Sequence, residues 1–273
     1  MIKRILVVVD ASPRSAVRLT LAQTLATVHR SEITGFYAVL PSMLAIPWTA
    51  ADGLASAAGV LAELDDDQRQ RAEAGFRQAC DAQRSSWIDG GDTPYAALLQ
   101  ESFVHDLLVL GQHDPGDART GALPADLVPA AITDSGCPAL LVPSRGRFER
   151  IDGPVLVAWK PVREAARALR AALPWLRLAP QVHLAAQTEE DAGPPPLQVV
   201  ERWLRLQGVG GPVHHHALAD GEVGERLLAL AADLGATLLV MGCYGHGRAR
   251  EWALGGATRT VLHTMSLPVL MVH

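Results

Sequence analysis

Apolar runs of four to six residues alternate along this chain with longer amphipathic stretches. Ile5-Leu-Val-Val-Val9 is β-branched and continuously apolar, the mark of a strand covered on both faces. Ser12-Pro13 then opens a helix to about His29, with a cap-type residue followed by proline in the first turn. The pattern predicts a strand at Ile33–Leu40, a long Pro-, Ala- and Gly-rich connection over 41–59, and a helix at Leu61–Arg84. It continues with a strand at Ser85–Ile88, a helix at Pro94–Val104, a strand at Leu107–Leu110, a helix near Ala125–Thr133 and a strand at Ala139–Val142.

The pattern then restarts. Val155-Leu-Val-Ala158 answers Ile5–Val8, and a helix over Arg163–Ala172 follows. A strand at Gln181–Ala186, a helix at Leu197–Gln207, a strand at Val213–Leu218 and a helix at Glu222–Leu234 come next. The series closes with a strand over Ala236–Val240, a helix over Ala257–Met265 and a strand at Val269–Val272. Asp106-Leu-Leu-Val-Leu-Gly111 matches Thr237-Leu-Leu-Val-Met-Gly242, and Cys137-Pro-Ala-Leu-Leu-Val142 matches Leu267-Pro-Val-Leu-Met-Val272. The offset is 150 at the first strands and 131 at the fourth, so the first copy carries about 19 extra residues, most naturally after Leu40. A tandem repeat of strands alternating with helices predicts two α/β units, 1–145 and 150–273, each built on an open, parallel, five-stranded sheet with helices on both faces.

Composition narrows the functional classes. A net charge of −5 over 273 residues argues against a nucleic-acid-coating role. No apolar run is long enough for a membrane span or a signal peptide. Three cysteines without CxxC spacing indicate neither a disulfide frame nor a zinc knuckle and suit a reducing cytoplasm. Lys3 and Lys160 are the only lysines, the other cationic residues being arginine.

Candidate chemistry concentrates between the fourth strand of the second copy and the helix after it. Gly242, Gly245 and Gly255 are spaced G-x2-G-x9-G, with Gly256 next and Arg248, Arg250 and Arg259 nearby. Glycine lets a ligand approach the backbone closely, and a helix starting there offers free N–H groups and the positive end of its dipole. This is an anion cradle, or else a tight strand-to-helix connection. Cys243, inside it, is either redox-sensitive or a small packing residue. His214 and His216 fall on one face of their strand and His215 on the other; two same-face histidines do not complete a zinc site, so no metal is assigned. No Ser-His-Asp arrangement, Walker loop or G-x-G-x-x-G follows a strand, and no catalytic residue is assigned.

The glycine spacing, the order of elements and the closing Leu267-Pro-Val-Leu-Met-Val272 resemble the universal stress protein family, whose nucleotide-binding members hold the ribose and phosphates of ATP with this loop. The resemblance covers nearly the whole chain as two copies. It implies a Rossmann-like sheet of strand order 3-2-1-4-5, with ligand beyond the carboxyl ends of the strands. Loops after the first and fourth strands then lie side by side. The implied nucleotide contacts are Ala158, Trp159 and Lys160, main chain near Ala186 facing an adenine, Gly242, the loop residues Gly245, His246, Gly247, Arg248 and Gly255, and the helix start Gly256, Ala257 and Thr258. Trp159 and Trp252 would flank this crevice.

Both copies depart from the family pattern. The relatives' aspartate after the first strand is present as Asp10 but replaced in the second copy by Lys160, either a point charge for phosphates or drift. The Ser or Thr that closes the family's signature is Gly256, which removes a hydroxyl donor. In the first copy the glycines after Gly111 are misspaced, and Asp114, Asp117 and Asp126 would repel phosphate. The resemblance implies a cytoplasmic stress-response regulatory protein binding ATP or a related nucleotide in its second copy; the alternative is a scaffold acting through protein contacts. An ATPase or adenylate-forming enzyme has least in its favour. Single-copy relatives usually dimerise, so pairing of the two copies within the chain, or a homodimer, is expected.

Overall fold

The protein is described from a computed structural model covering residues 2–42, 54–113, 127–187, 197–218, 221–243 and 256–273. It divides into two compact units, Ile2–Cys137 and Pro138–His273. Both are α/β, with mostly parallel strands and helices on both faces.

The first unit runs β1 (Arg4–Val9), α1 (Pro13–His29), β2 (Glu32–Tyr37), α2 (Leu54–Ala79), β3 (Ser85–Asp89), α3 (Pro94–Ser102), β4 (Leu107–Gly111) and α4 (Leu127–Asp134). Its strands lie in the order β3-β2-β1-β4, all parallel, with Ile5 opposite both Ile33 and Leu107. Ile5 to Val9 are each no more than 1% exposed, as the unbroken apolar run requires of a central strand with helices on both sides. Gly35 leaves room for an aromatic cluster, since a Cβ there would meet Phe76 and Trp87 at 2.7 and 2.9 Å, rings whose centroids are 5.4 Å apart.

α2 begins at Leu54, inside the expected connection. Alanine-rich sequence propagates a helix despite Gly59. The helix carries i,i+4 ion pairs on its exposed face, Arg71–Asp67 and Arg77–Glu73. β2 leaves the ladder at Tyr37, three residues before the expected end.

The second unit contains β5 (Ala139–Val142), β6 (Val155–Ala158), α5 (Arg163–Ala171), α6 (Leu173–Leu176), β7 (Val182–Gln187), α7 (Leu197–Leu206), β8 (Val213–Leu218), α8 (Val223–Asp233), β9 (Leu238–Gly242), α9 (Gly256–Thr264) and β10 (Val269–Val272). Its strands lie in the order β5-β10-β9-β6-β7-β8. Read from the opposite edge, β8 to β10 give the expected order 3-2-1-4-5, all parallel. β5 joins outside it as an antiparallel strand, with Leu140 opposite Leu270. The short helix α6, with Pro174 in its first turn, is not evident in the sequence pattern, where proline reads as a stop. No helix among the described residues is long and apolar enough to cross a membrane.

The start of α1 differs from the sequence reading, whereas its end at His29 agrees with it. Ser12 occupies the cap position, but its hydroxyl makes no cap hydrogen bond. Asp10 instead accepts the Ser12 N–H at 2.8 Å, so the aspartate organises the turn. The helix ends on Arg30 at φ 56°, left-handed backbone that costs a residue with a Cβ about 1–2 kcal/mol. Arg30→Gly should therefore raise stability by about 0.5–1 kcal/mol after the added freedom of the unfolded chain is counted. A higher urea midpoint at constant slope is the expected readout.

Candidate functional site

β6 lies between β9 and β7 in the second unit, and the carboxyl ends of these strands form the edge of an open α/β sheet where ligands bind. The Trp159 N–H donates to the Ala185 carbonyl at 2.7 Å, which carries the β6–β7 pairing one residue past Ala158. Ala158 lies opposite Ala185 in register, and Ala186, the next residue on β7, is buried. Trp159 is half-buried and Lys160 exposed. A tight turn follows, in which the Val162 N–H donates to the Lys160 carbonyl at 2.8 Å, and α5 starts.

Gly242, at the end of β9, meets that helix start. A Cβ there would lie 2.4 Å from the Ala165 nitrogen and 2.5 Å from the Glu164 carbonyl carbon. Any side chain would collide with backbone, so this glycine is required by packing whatever the loop holds. Cys243 follows, 1% exposed, its N–H donating to the Val272 carbonyl at 2.9 Å. Burial and the nearby Glu164 carboxylate both push its thiol well above the usual range, so Cys243 is an inert packing residue. At the far side of the loop, Gly256 is exposed, Ala257 half-buried and Thr258 buried in the first turn of α9. Gly245, His246, Gly247, Arg248, Arg250, Trp252 and Gly255 lie outside the described residues, as do Trp48, Asp114, Asp117 and Asp126.

Two carboxylates stand at this end of the sheet that sequence reasoning passed over. Glu164, in the first turn of α5, is 2% exposed and accepts a hydrogen bond from the Arg163 guanidinium. Burial raises its pKa, but the bonds from Arg163 and its own N–H, with the charges of Arg163 and His273, outweigh that and hold it below the ordinary value. Glu222 caps α8 at its N-terminus, and its Oε2 lies 3.6 Å from where a Gly256 Cβ would sit. The positive end of the α9 dipole thus already has a carboxylate beside it. An acidic residue at a helix start, in the first turn for Glu164 and at the N-cap for Glu222, was the available signal; burial and neighbourhood were not.

The first unit shows how the aspartate after its first strand is held. Asp10 is 4% exposed and Arg18, from α1, is 3% exposed; the two form an ion pair. Arg18 Nε also donates to the Val8 carbonyl at 3.0 Å, and the Ser15 hydroxyl accepts the Asp10 N–H at 3.0 Å. Gly111 makes room for the guanidinium, since a Cβ there would lie 2.6 Å from Arg18 Nη1. At the repeat offset of 150, Asp10, Ser15 and Arg18 correspond to Lys160, Ala165 and Ala168. The second copy replaces the whole polar cluster, and Ala165 and Ala168 let α5 settle onto the sheet. Among the described residues no group of three His, Cys, Asp or Glu side chains is arranged to hold a metal.

Residues 154–273 match the sequence model of the Universal stress protein family. None of the curated proteins matches the chain. Among solved structures, a universal stress protein from Archaeoglobus fulgidus DSM 4304 is similar over 98% of this chain and 95% of that one, at 20% identity and a TM-score of 0.67. A functionally unknown protein from Pseudomonas aeruginosa PAO1 is similar over 99% and 92%, at 17% identity and a TM-score of 0.57. At these identities the likeness is one of fold.

Two outcomes test the geometry. Arg18→Ala should cost about 3–5 kcal/mol by stranding a buried carboxylate, while Asp10→Ala with Arg18→Ala should cost less than the sum of the single changes in a denaturant double-mutant cycle. Glu164, with its pKa depressed, stabilises the fold above the ordinary glutamate value of about 4.3 and loses that contribution as pH falls through the folded value. Glu164→Gln should flatten the fall of urea midpoint with pH below about 4.5. Residues 154–273 carry a domain of the universal stress protein family, and over its whole length the chain shares the fold of the Archaeoglobus fulgidus universal stress protein.

Proposed function

We propose that the chain is a stress-response regulatory protein that binds ATP or a related nucleotide in the second unit, with the first unit binding none. The observation carrying this reading is the strand order β7-β6-β9, which sets Ala186, the Ala158–Trp159–Lys160 segment and Gly242 at neighbouring strand ends. In the first unit the equivalent aspartate is bonded internally to Arg18. In the proposed pose the base lies against the main chain at Ala186 and the phosphates face Lys160 and the first turn of α9. No residue there is assigned a catalytic role, so nucleotide would bind without turnover.

A second reading, a scaffold without nucleotide, draws on Glu222 beside Gly256 and on Lys160 in place of the aspartate. Calorimetric titration of purified protein with ATP and ADP separates the two. Saturable heat that Gly245→Val abolishes is the expected result. No heat, with no nucleotide released on denaturation, would overturn the proposal. Glu222→Gln should tighten ATP binding by about two- to fivefold, the value of one carboxylate at a helix N-terminus.

A further inference from the structure

Away from that crevice, β7 and β8 bring three imidazoles together on one sheet face. His183 lies opposite His214 in the parallel register, and His216 is two residues further along β8. The His183 and His214 rings stack with centroids 4.9 Å apart and 19° between planes. His183 Nδ1 and His216 Nε2 are 2.9 Å apart, a hydrogen bond in which one nitrogen carries the proton and the other accepts it. His183 is 4% exposed, and its Nε2 is buried without a hydrogen-bond partner. β8 is the edge strand of its unit, so among the described residues β7 is its sole neighbour in the sheet.

We propose that His183, His214 and His216 form an acid-sensitive latch that holds edge strand β8 on β7 at neutral pH and releases it on acidification. With all three rings neutral, Nδ1–H of His183 donates to His216, and the buried Nε2 leaves only a lone pair unfilled. Protonating His183 places an N–H and a charge on that nitrogen in a site with no acceptor. Protonating His216 instead puts a proton on the accepting nitrogen, so the bond survives only if His183 shifts its own proton to the buried Nε2. Each route costs the folded strand and not the unfolded one.

The surrounding charges do not relieve this. Burial first, then His216 and His214, lower the pKa of His183; burial, then His214 and His215, lower that of His216. His215, on the opposite face, is engaged with Glu201 of α7 at 3.0 Å. α8 packs on β8, and its Glu225, Arg226 and Asp233 are exposed and are not among the charges acting on His183 or His216. With folded values below the ordinary one, the unfolded strand takes up protons first. The latch is therefore intact above about pH 6.5 and weakens as pH falls below it.

Hydrogen exchange of the full chain at about pH 7.5 and about pH 5.5, corrected for intrinsic exchange, tests this. The amides of Val213–Leu218 should lose protection by about tenfold relative to those of β6. His183→Gln with His216→Gln, which removes both titrating rings of the hydrogen bond, should remove most of that pH dependence. An unchanged ratio of β8 to β6 protection, or the same loss in the variant, would overturn the latch. Should the variant not fold, imidazole NMR titration of the wild type decides. His183 and His216 titrating below about 6.5 alongside β8 deprotection supports the proposal, and either titrating at or above that value overturns it.

Discussion

Glycine ends the fourth strand of both repeats, where a Cβ would meet the Arg18 guanidinium in one and the backbone of α5 in the other. Parallel sheets must be covered on both faces, and covering brings the first helix of each repeat down onto the end of its fourth strand. At Gly111 the space goes to the Arg18 guanidinium, and at Gly242 to the backbone of α5 itself. The two solutions fix what each unit can do. A buried arginine needs a buried carboxylate, so Asp10 is consumed internally and is not free to meet a ligand. Where the helix backbone fills the space, Ala165 and Ala168 replace Ser15 and Arg18, the aspartate has no partner, and Lys160 turns outward to solvent.

The same pressure explains the two acids near the second unit's crevice. Glu164 sits at the point of closest approach and survives burial because Arg163 and His273 favour its charged form. Glu222 begins the helix that packs beside α9, so the geometry that orders α8 also brings a carboxylate to Gly256. In the proposed site the dipole of α9 competes with a carboxylate already in place for any anion. That contest makes affinity and selectivity matters of one or two kilocalories, which substitutions can tip.

Most of the fold was legible in the chain. The β-branched run at Ile5–Val9 and the apolar run at Ala236–Val240 announced central strands, and the matched segments ending in Gly111 and Gly242 announced the repeat. Legibility failed where local signals conflicted with tertiary context. The Ala-rich sequence from Leu54 read as loop because of its neighbours, α6 was hidden by Pro174, and Ser12 looked like a cap until Asp10 was seen to hold its N–H. At the site, strand ends and glycines were readable because their spacing encodes them. The commitment of Asp10 to Arg18 was not, since an arginine in the second turn of a helix carries no sign that it points inward. The three histidines show both sides: alternation placed His214 and His216 on one face, but only strand pairing brings His183 from a distant part of the chain to meet them.

The account holds that duplication left two unlike units, one closed by its own ion pair and one open to ligand. Backbone amide NMR of the full chain during addition of ATP tests this directly. The account predicts saturable shifts at Trp159, Lys160, Ala186, Gly242 and Gly256–Thr258, with Asp10–Ser12 and Gly111 unmoved. Shifts at Asp10 and Gly111, or none in the second unit at saturating nucleotide, would contradict it.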